Sequence, residues 1–326
     1  MASASSLAIV IPAWKSKFLD QTLESIAAQT CKAFIVYVGD DCSPEDIELV
    51  CQKWASRINI KYHRFSNNLG ARNLPLQMER CIELCDEPWV WVFGDDDTMD
   101  DTCVERFYQE VTNASWPSDV YHFNTRVINH DGQVVSSSPE FPPQLTAIDY
   151  LWNHMTGRLS SYLPDFILRR DQYCRLGRLQ NFPQAWFTDT ALWVTLARDR
   201  GITTIAGPKV NWRFSGINIS SNHASDRLLK LDAAISYLCW VDEHLARHYG
   251  SLVKQRFARE RVPWLVRHSR SLDIRLFPLL AVTASNIRRS LTDVCRVRYY
   301  LSLLLSEVLY RVAYHARKTA RGFFLH

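Results

Sequence analysis

At 326 residues, 47% hydrophobic and 22% charged, the chain can hold one large domain or two modest ones and is too apolar for wholesale disorder. Its apolar runs fall short of the roughly 18–20 residues that span a bilayer, and Met1 to Ser6 lacks the basic start of a secretory leader, so a cytoplasmic protein is expected. The net charge of +4 is uneven: residues 1–253 carry 23 Lys and Arg against 30 Asp and Glu, residues 254–326 carry 15 against 4, and such a basic end implies an anionic partner, nucleic acid or a membrane surface.

In chain order, Leu7 to Ile11 reads as a buried strand, and Phe18, Leu19, Leu23, Ile26 and Ala27 share one face of the helix that follows. Phe34 to Val38 is a second strand, Pro44 opens a second helix, Ile58 to Phe65 is a third strand and Leu74 to Cys85 a third helix. Trp89 to Phe93 is a fourth strand, followed by a helix from about Asp101 to Val111. Alternation at this spacing predicts an α/β fold, a Rossmann-like, mostly parallel sheet with helices on both faces. Val120 to Val135 reads as a hairpin turning at Asn129 to Gly132, Ser136 to Pro143 as a loop, Phe187 to Arg200 as a helix, and Ile202 to Phe214 as extended. From Asp226 the pattern is helical, which places a boundary near residue 225: a domain over 1–225, in halves 1–115 and 116–225, and a basic helical region over 226–326. Nine scattered cysteines fit a reducing compartment. Cys81 and Cys85, with no second pair to complete a zinc site, read as buried apolar residues.

Ligands of open α/β sheets bind beyond the carboxyl ends of the strands, and three such ends here are polar. They are Gly39-Asp-Asp-Cys-Ser43, Asn67-Asn-Leu-Gly-Ala-Arg-Asn73, and Gly94-Asp-Asp-Asp97 directly after the fourth strand. Three adjacent carboxylates repel one another unless solvated or neutralised, and hard oxygen donors suit Mg²⁺ or Mn²⁺. The plainer readings are an acidic turn capping the helix near Asp101 and an Asx-turn at Asp40 and Asp41.

The order of these residues resembles the family 2 glycosyltransferases. Ile11-Pro-Ala-Trp14, Leu23-x-Ser-Ile-x-x-Gln-Thr30, Asp40-Asp-Cys-Ser43, Asn68-Leu-Gly-Ala-Arg-Asn73 and Asp95-Asp-Asp97 are similar to five of the family's motifs, in order, over about residues 7–110. The resemblance implies the GT-A fold, an inverting transfer from a nucleotide-diphosphate-sugar donor, UDP-linked by expectation, and a Mn²⁺ or Mg²⁺ cofactor. It also implies roles. Asp40 and Arg72 would hold the base, with Pro12 and Ala13 lining its pocket and Asn68 in the adjoining loop. Asp95 and Asp96 would contact ribose or donor sugar, and Asp97 the metal. Ala13 stands where the family has Thr, and Cys42 where it has a turn Gly. An inverting transfer needs a carboxylate to accept the acceptor hydroxyl's proton. Phe187-Thr-Asp-Thr-Ala-Leu-Trp193 resembles the segment that supplies it, which makes Asp189 the candidate, with helix N-cap as its plainer role and Asp165 and Asp171 as rivals outside that context. Trp212 to Ser220 with Asn222 and His223 resembles the segment closing the site, where Arg213 would meet the diphosphate and His223 would be a further metal ligand or diphosphate contact, an ordinary surface or packed histidine being its plainer reading.

The expected acceptor is a glycan or lipid-linked glycan in cell-surface polysaccharide assembly. A sugar-nucleotide nucleotidyltransferase is the enzymatic alternative, but Ala13 to Lys17 lacks the Gly-rich loop it would carry. A non-catalytic module binding membrane or nucleic acid is the other. Val297, Leu301, Leu304, Val308 and Val312 recur at helical spacing beside Tyr299, Tyr300, Tyr310 and Tyr314 and the cations Arg311, Arg317, Lys318 and Arg321. That combination predicts peripheral attachment to an anionic inner membrane face rather than to nucleic acid; an amphipathic helix packed on the protein is the plainer reading.

Overall fold

The computed structural model describes residues 6–113, 117–176, 178–216, 226–272 and 294–323, with side chains to residue 310. The N-terminal apolar runs become β1 (Leu7–Ala13), β2 (Phe34–Asp40), β3 (Ile60–Arg64) and β4 (Trp89–Val92), joined through α1 (Leu19–Ala27), α2 (Ile47–Trp54) and α3 (Leu74–Ile82). β1 lies parallel to β2 and β4, and β2 to β3. Ile9, Ile11, Val36 and Val38 are fully buried, as expected of strands covered on both faces.

The chain continues through β5 (Thr98–Met99), α4 (Cys103–Asn113), β6 (Val120–Ile128), β7 (Val134–Ser137), β8 (Gln144–Leu145), α5 (Ala147–Met155), β9 (Phe166–Arg169), α6 (Arg170–Leu176), α7 (Thr188–Leu196) and β10 (Ile202–Arg213). The sheet runs β3-β2-β1-β4-β9-β6-β10-β5, with β7 on β6 and β8 on β10. It is mixed but mostly parallel. β9 is antiparallel to both β4 and β6 and fills the gap between them. The hairpin expected at Asn129 to Gly132 forms between β6 and β7, with Gly132 at φ +82°. Trp91 of β4 stacks on Phe123 of β6 across β9, ring centroids 5.1 Å apart. All nine cysteines are free, and Cys51, Cys81, Cys85 and Cys103 are buried.

The chain divides into two compact units, Met1–Asn181 with Thr188–Ile219, and Phe182–Phe187 with Ser220–His326. The second is helical: α8 (Arg227–His248), α9 (Ser251–Ala258), α10 (Arg261–Ser271) and α11 (Val294–Phe323). Tyr299 and Tyr300, expected at a membrane interface, are instead 2% and 1% exposed and donate their hydroxyls to Asp242 and Asp232 of α8 at 2.9 and 3.0 Å. Leu303 is buried beside them, whereas Leu301, Leu305, Val308 and Leu309 are 41–60% exposed on the other side of α11. The helix therefore has two apolar faces, of which one is packed. The side chains of Arg311, Val312, Tyr314, Arg317, Lys318 and Arg321 lie outside the described residues. Among the described residues no helix is long and apolar enough to cross a membrane.

Candidate active site

The three polar strand ends meet at one edge of the sheet and are stitched together. The Asp41 amide donates to Ala13 C=O at 2.9 Å, Ser43 Oγ to Trp14 C=O at 2.7 Å, and the Trp14 and Lys15 amides both donate to Asp95 Oδ2 at 3.0 Å. Pro12 is half-buried, Ala13 is buried, and Trp14 is exposed at the rim.

Asp40, expected to face a nucleotide base, is wholly buried. Its Oδ1 accepts from the Ser43 amide at 2.7 Å, and its Oδ2 from Tyr62 Oη and Arg64, each at 2.6 Å. It shapes the β2 turn and presents no accessible atom in this conformation. Cys42 in that turn has φ 56°, which explains why glycine is the default there. Asp41 accepts from the Leu69 and Gly70 amides at 2.7 and 2.8 Å and pairs with Arg80, which lies over the Phe65 ring. A Cβ on Gly70 would stand 2.7 Å from Asp41 Oδ2, so the Asn-Leu-Gly loop needs its glycine. Asn68 closes the same loop by accepting from the Ala71 amide at 2.9 Å, and Arg72 is exposed beyond it. Arg64, Tyr62 and Arg80 had no motif to mark them; their only signal was cationic or phenolic character next to an acidic strand end.

The acidic triplet divides. Asp95 and Asp96 are half-buried, and Asp97 is 3% exposed. The structure turns Asp97, the expected metal ligand, inward: its Oδ1 accepts from the Arg213 amide at 2.9 Å, and a Cβ on Gly94 would meet its Oδ2 at 2.4 Å. Burial raises all three carboxyl pKa values. Asp96 reaches about 7, through burial first and the Asp95 charge second. Arg213 is likewise turned inward. Only 1% exposed, it donates to the Asp96, Asn129 and His130 carbonyls and to Gln21, and packs over Phe18. It braces the triplet turn from behind. His223 lies outside the described residues.

Asp189 is half-buried in the first turn of α7, where its Oδ1 accepts from the Thr190 amide at 2.8 Å. Burial raises its pKa to about 6. Tyr150 and His154 of α5 lie beside it; Tyr150 bonds Ser161 at 2.8 Å, and His154 Nε2 is 3.4 Å from Thr190 Oγ1. Asp165 ends a 3₁₀ turn held by a 2.7 Å bond from Trp91 Nε1 to Pro164 C=O. It is fully buried, and its Oδ2 accepts from the Tyr162 amide at 2.8 Å. Its charge acts on Asp97, and the Asp189 charge acts on it in turn, so these carboxyl groups form one electrostatic neighbourhood. Asp171 pairs with Arg169 on the surface, away from this group.

Residues 8–164 match the family model described as glycosyl transferase family 2. Two solved structures of Staphylococcus aureus TarS residues 1–349 are similar. The complex with UDP has 17% identity over 94% of this chain and 92% of that one, with a TM-score of 0.54; the complex with UDP-GlcNAc has 16% identity, the same coverage and a TM-score of 0.58. GalNAc-T7, solved with UDP, GalNAc and Mn²⁺, is similar at 10% identity over 71% of this chain and 48% of that one, with a TM-score of 0.50. No curated protein sequence matches the chain. The parallel β1–β4 core, the carboxylates at its carboxyl edge and the sequence match over that same stretch agree: residues 8–164 are similar to glycosyl transferase family 2, and the chain has the GT-A fold.

Proposed function

We propose that the protein is an inverting glycosyltransferase that uses a nucleotide-diphosphate-sugar donor, UDP-linked, with Asp189 as general base toward a hydroxyl of a glycan or lipid-linked glycan. The observation that carries the reading is a half-buried carboxylate with pKa near 6, electrostatically linked through Asp165 to the acidic turn at the sheet edge. Such a group is ionised at neutral pH yet basic enough to take a proton in the transition state. The UDP and UDP-GlcNAc complexes of the TarS structures favour a uridine donor.

A divalent cation fits the donor set. Among the described residues no three His, Cys, Asp or Glu side chains form a closed cluster, so one or two carboxylates would share the ion with diphosphate oxygens. Asp96, desolvated and repelled by Asp95, suits that part better than the inward Asp97. When bound, the ion stabilises charge on the leaving diphosphate. Asp95 fixes the β1 turn through two backbone N–H groups, Arg213 holds the triplet's backbone, and Arg72 remains available to the base. Attachment to an anionic membrane, consistent with lipid-linked acceptors in surface-polysaccharide assembly, is supported by the exposed Leu301, Leu305 and Leu309 in a region of net positive charge.

The deciding experiment screens UDP-, GDP- and dTDP-sugars with Mn²⁺ or Mg²⁺ for release of nucleoside diphosphate. A donor should be found whose turnover falls about 10²–10⁴-fold in Asp189→Asn with donor affinity unchanged. Full turnover in that variant refutes the assignment.

A further inference from the structure

The polypeptide leaves the sheet-bearing unit after Asn181, spends Phe182–Phe187 in the helical unit, and returns at Thr188. The neck of this excursion is pinned. Thr188 Oγ1 donates to Gln180 C=O at 2.7 Å, and the Leu179 amide donates to the buried carboxylate of Glu79 at 2.8 Å. Its tip is gripped as well. Phe187 stacks on Tyr237 with centroids 4.8 Å apart and meets Trp264 and His268 edge-on at 5.3 Å each, while the Lys230 ammonium sits 4.6 Å from the Trp186 ring. Within this excursion the backbone is left-handed at three residues that are not glycine: Gln184 at φ 53°, Ala185 at 57° and Phe187 at 64°. A bulky residue in that region persists only where its surroundings over-determine it. Asp189 is two residues beyond Phe187.

We infer that this aromatic grip positions the general base: Tyr237 and Trp264 hold Phe187, and Phe187 fixes the backbone from which Asp189 projects. The inference rests on the reading of Asp189 given above. A helix start needs only a cap and a tolerant residue before it, and either costs less than a left-handed phenylalanine. The costlier arrangement has a use if the direction of the first turn of α7 must be set by something stiffer than a cap. Phe187, Tyr237 and Trp264 are thus positioning residues.

The test uses the full chain and two substitutions, Phe187→Gly, which removes the ring and tolerates the positive φ, and Phe187→Tyr, which keeps the ring. Amide hydrogen exchange over residues 190–194 should quicken at least tenfold in Phe187→Gly, with β1 unchanged and Phe187→Tyr like the parent. Equal exchange in Phe187→Gly overturns the inference. With the donor found in the screen, kcat should fall at least tenfold in Phe187→Gly while donor KM stays within twofold. The acid limb of its pH profile should move to lower pH as Asp189 gains water, its neighbours Tyr150, His154 and Asp165 being unaltered. A loss shared equally by kcat and donor affinity marks general damage and also overturns it. If Asp189→Asn is inactive and Phe187→Gly is unimpaired, only the positioning inference falls; if Asp189→Asn retains turnover, both fall. Trp264→Leu carries the same expectations should Phe187→Gly fail to fold.

Discussion

As the proposed base, Asp189 meets two opposed demands, since the burial that would suit it to take a proton also makes it a poor structural residue. Its carboxyl has a pKa of about 6 in the folded chain, against 3.8 ordinarily. The folded state therefore holds the proton more tightly, and that stabilisation is complete below pH 4 and lost as pH rises through 6. Above both values the ionised group costs about 1–3 kcal/mol. Asp189→Asn should accordingly unfold at higher urea at pH 8 than the parent, with no difference at pH 4, while transfer is lost. His122 shows the opposite sign. It is 1% exposed, stacks on Phe141 at 3.8 Å, and burial lowers its pKa to about 3. It destabilises the fold as pH falls from 6.5 toward 3, so His122→Phe should flatten the acid side of the stability profile in thermal scans. Gly94→Ala places a Cβ against the Asp97 carboxylate and should cost about 1–3 kcal/mol in chemical denaturation. Residue chemistry was legible in the sequence at these positions, but its direction was not. Asp40 and Arg213 stand out in the sequence as charges at strand ends, yet the donors that occupy Asp40 come from β3, and the carbonyls that occupy Arg213 come from the triplet itself and the β6–β7 turn. No local pattern announces such partners.

At the scale of elements, α11 sets one apolar face against the other. Tyr299→Phe removes a hydrogen bond to a carboxylate that also pairs with Arg261 and Arg298, and should destabilise the helical unit by about 1.5–3 kcal/mol. Leu305→Lys, on the exposed side, should stay within about 0.5 kcal/mol in the same melting experiment and weaken binding to anionic vesicles. Helical periodicity marked a stripe through Leu301 and Val308 because both faces of α11 are apolar, and spacing cannot say which one finds a partner. The same limit hid α5, α6 and β9. β9 is four residues long, and its strand character comes from the β4 and β6 edges on either side of it, not from its own composition. Long apolar runs such as β1, β2 and β4 were legible because burial on both faces leaves a continuous signal.

For the whole molecule, the stretch matching the family ends at residue 164, but the sheet does not. Its middle position belongs to β9 and its far side to β10, both beyond that point. A fragment of residues 1–165 would leave the edges of β4 and β6 bare and should aggregate or remain partly unfolded, by light scattering and circular dichroism, under conditions where the full chain should not. This order of assembly also sets a timetable for biosynthesis. β4 is translated about 75 residues before β9, which at about 5–20 residues per second leaves its open edge waiting roughly 4–15 s for its neighbour. Throughout that interval the growing chain offers a hydrophobic strand to any other nascent chain on the same polysome. Translation speed over residues 93–166 and the supply of chaperones should therefore govern the yield of active protein more than the stability of the finished fold does.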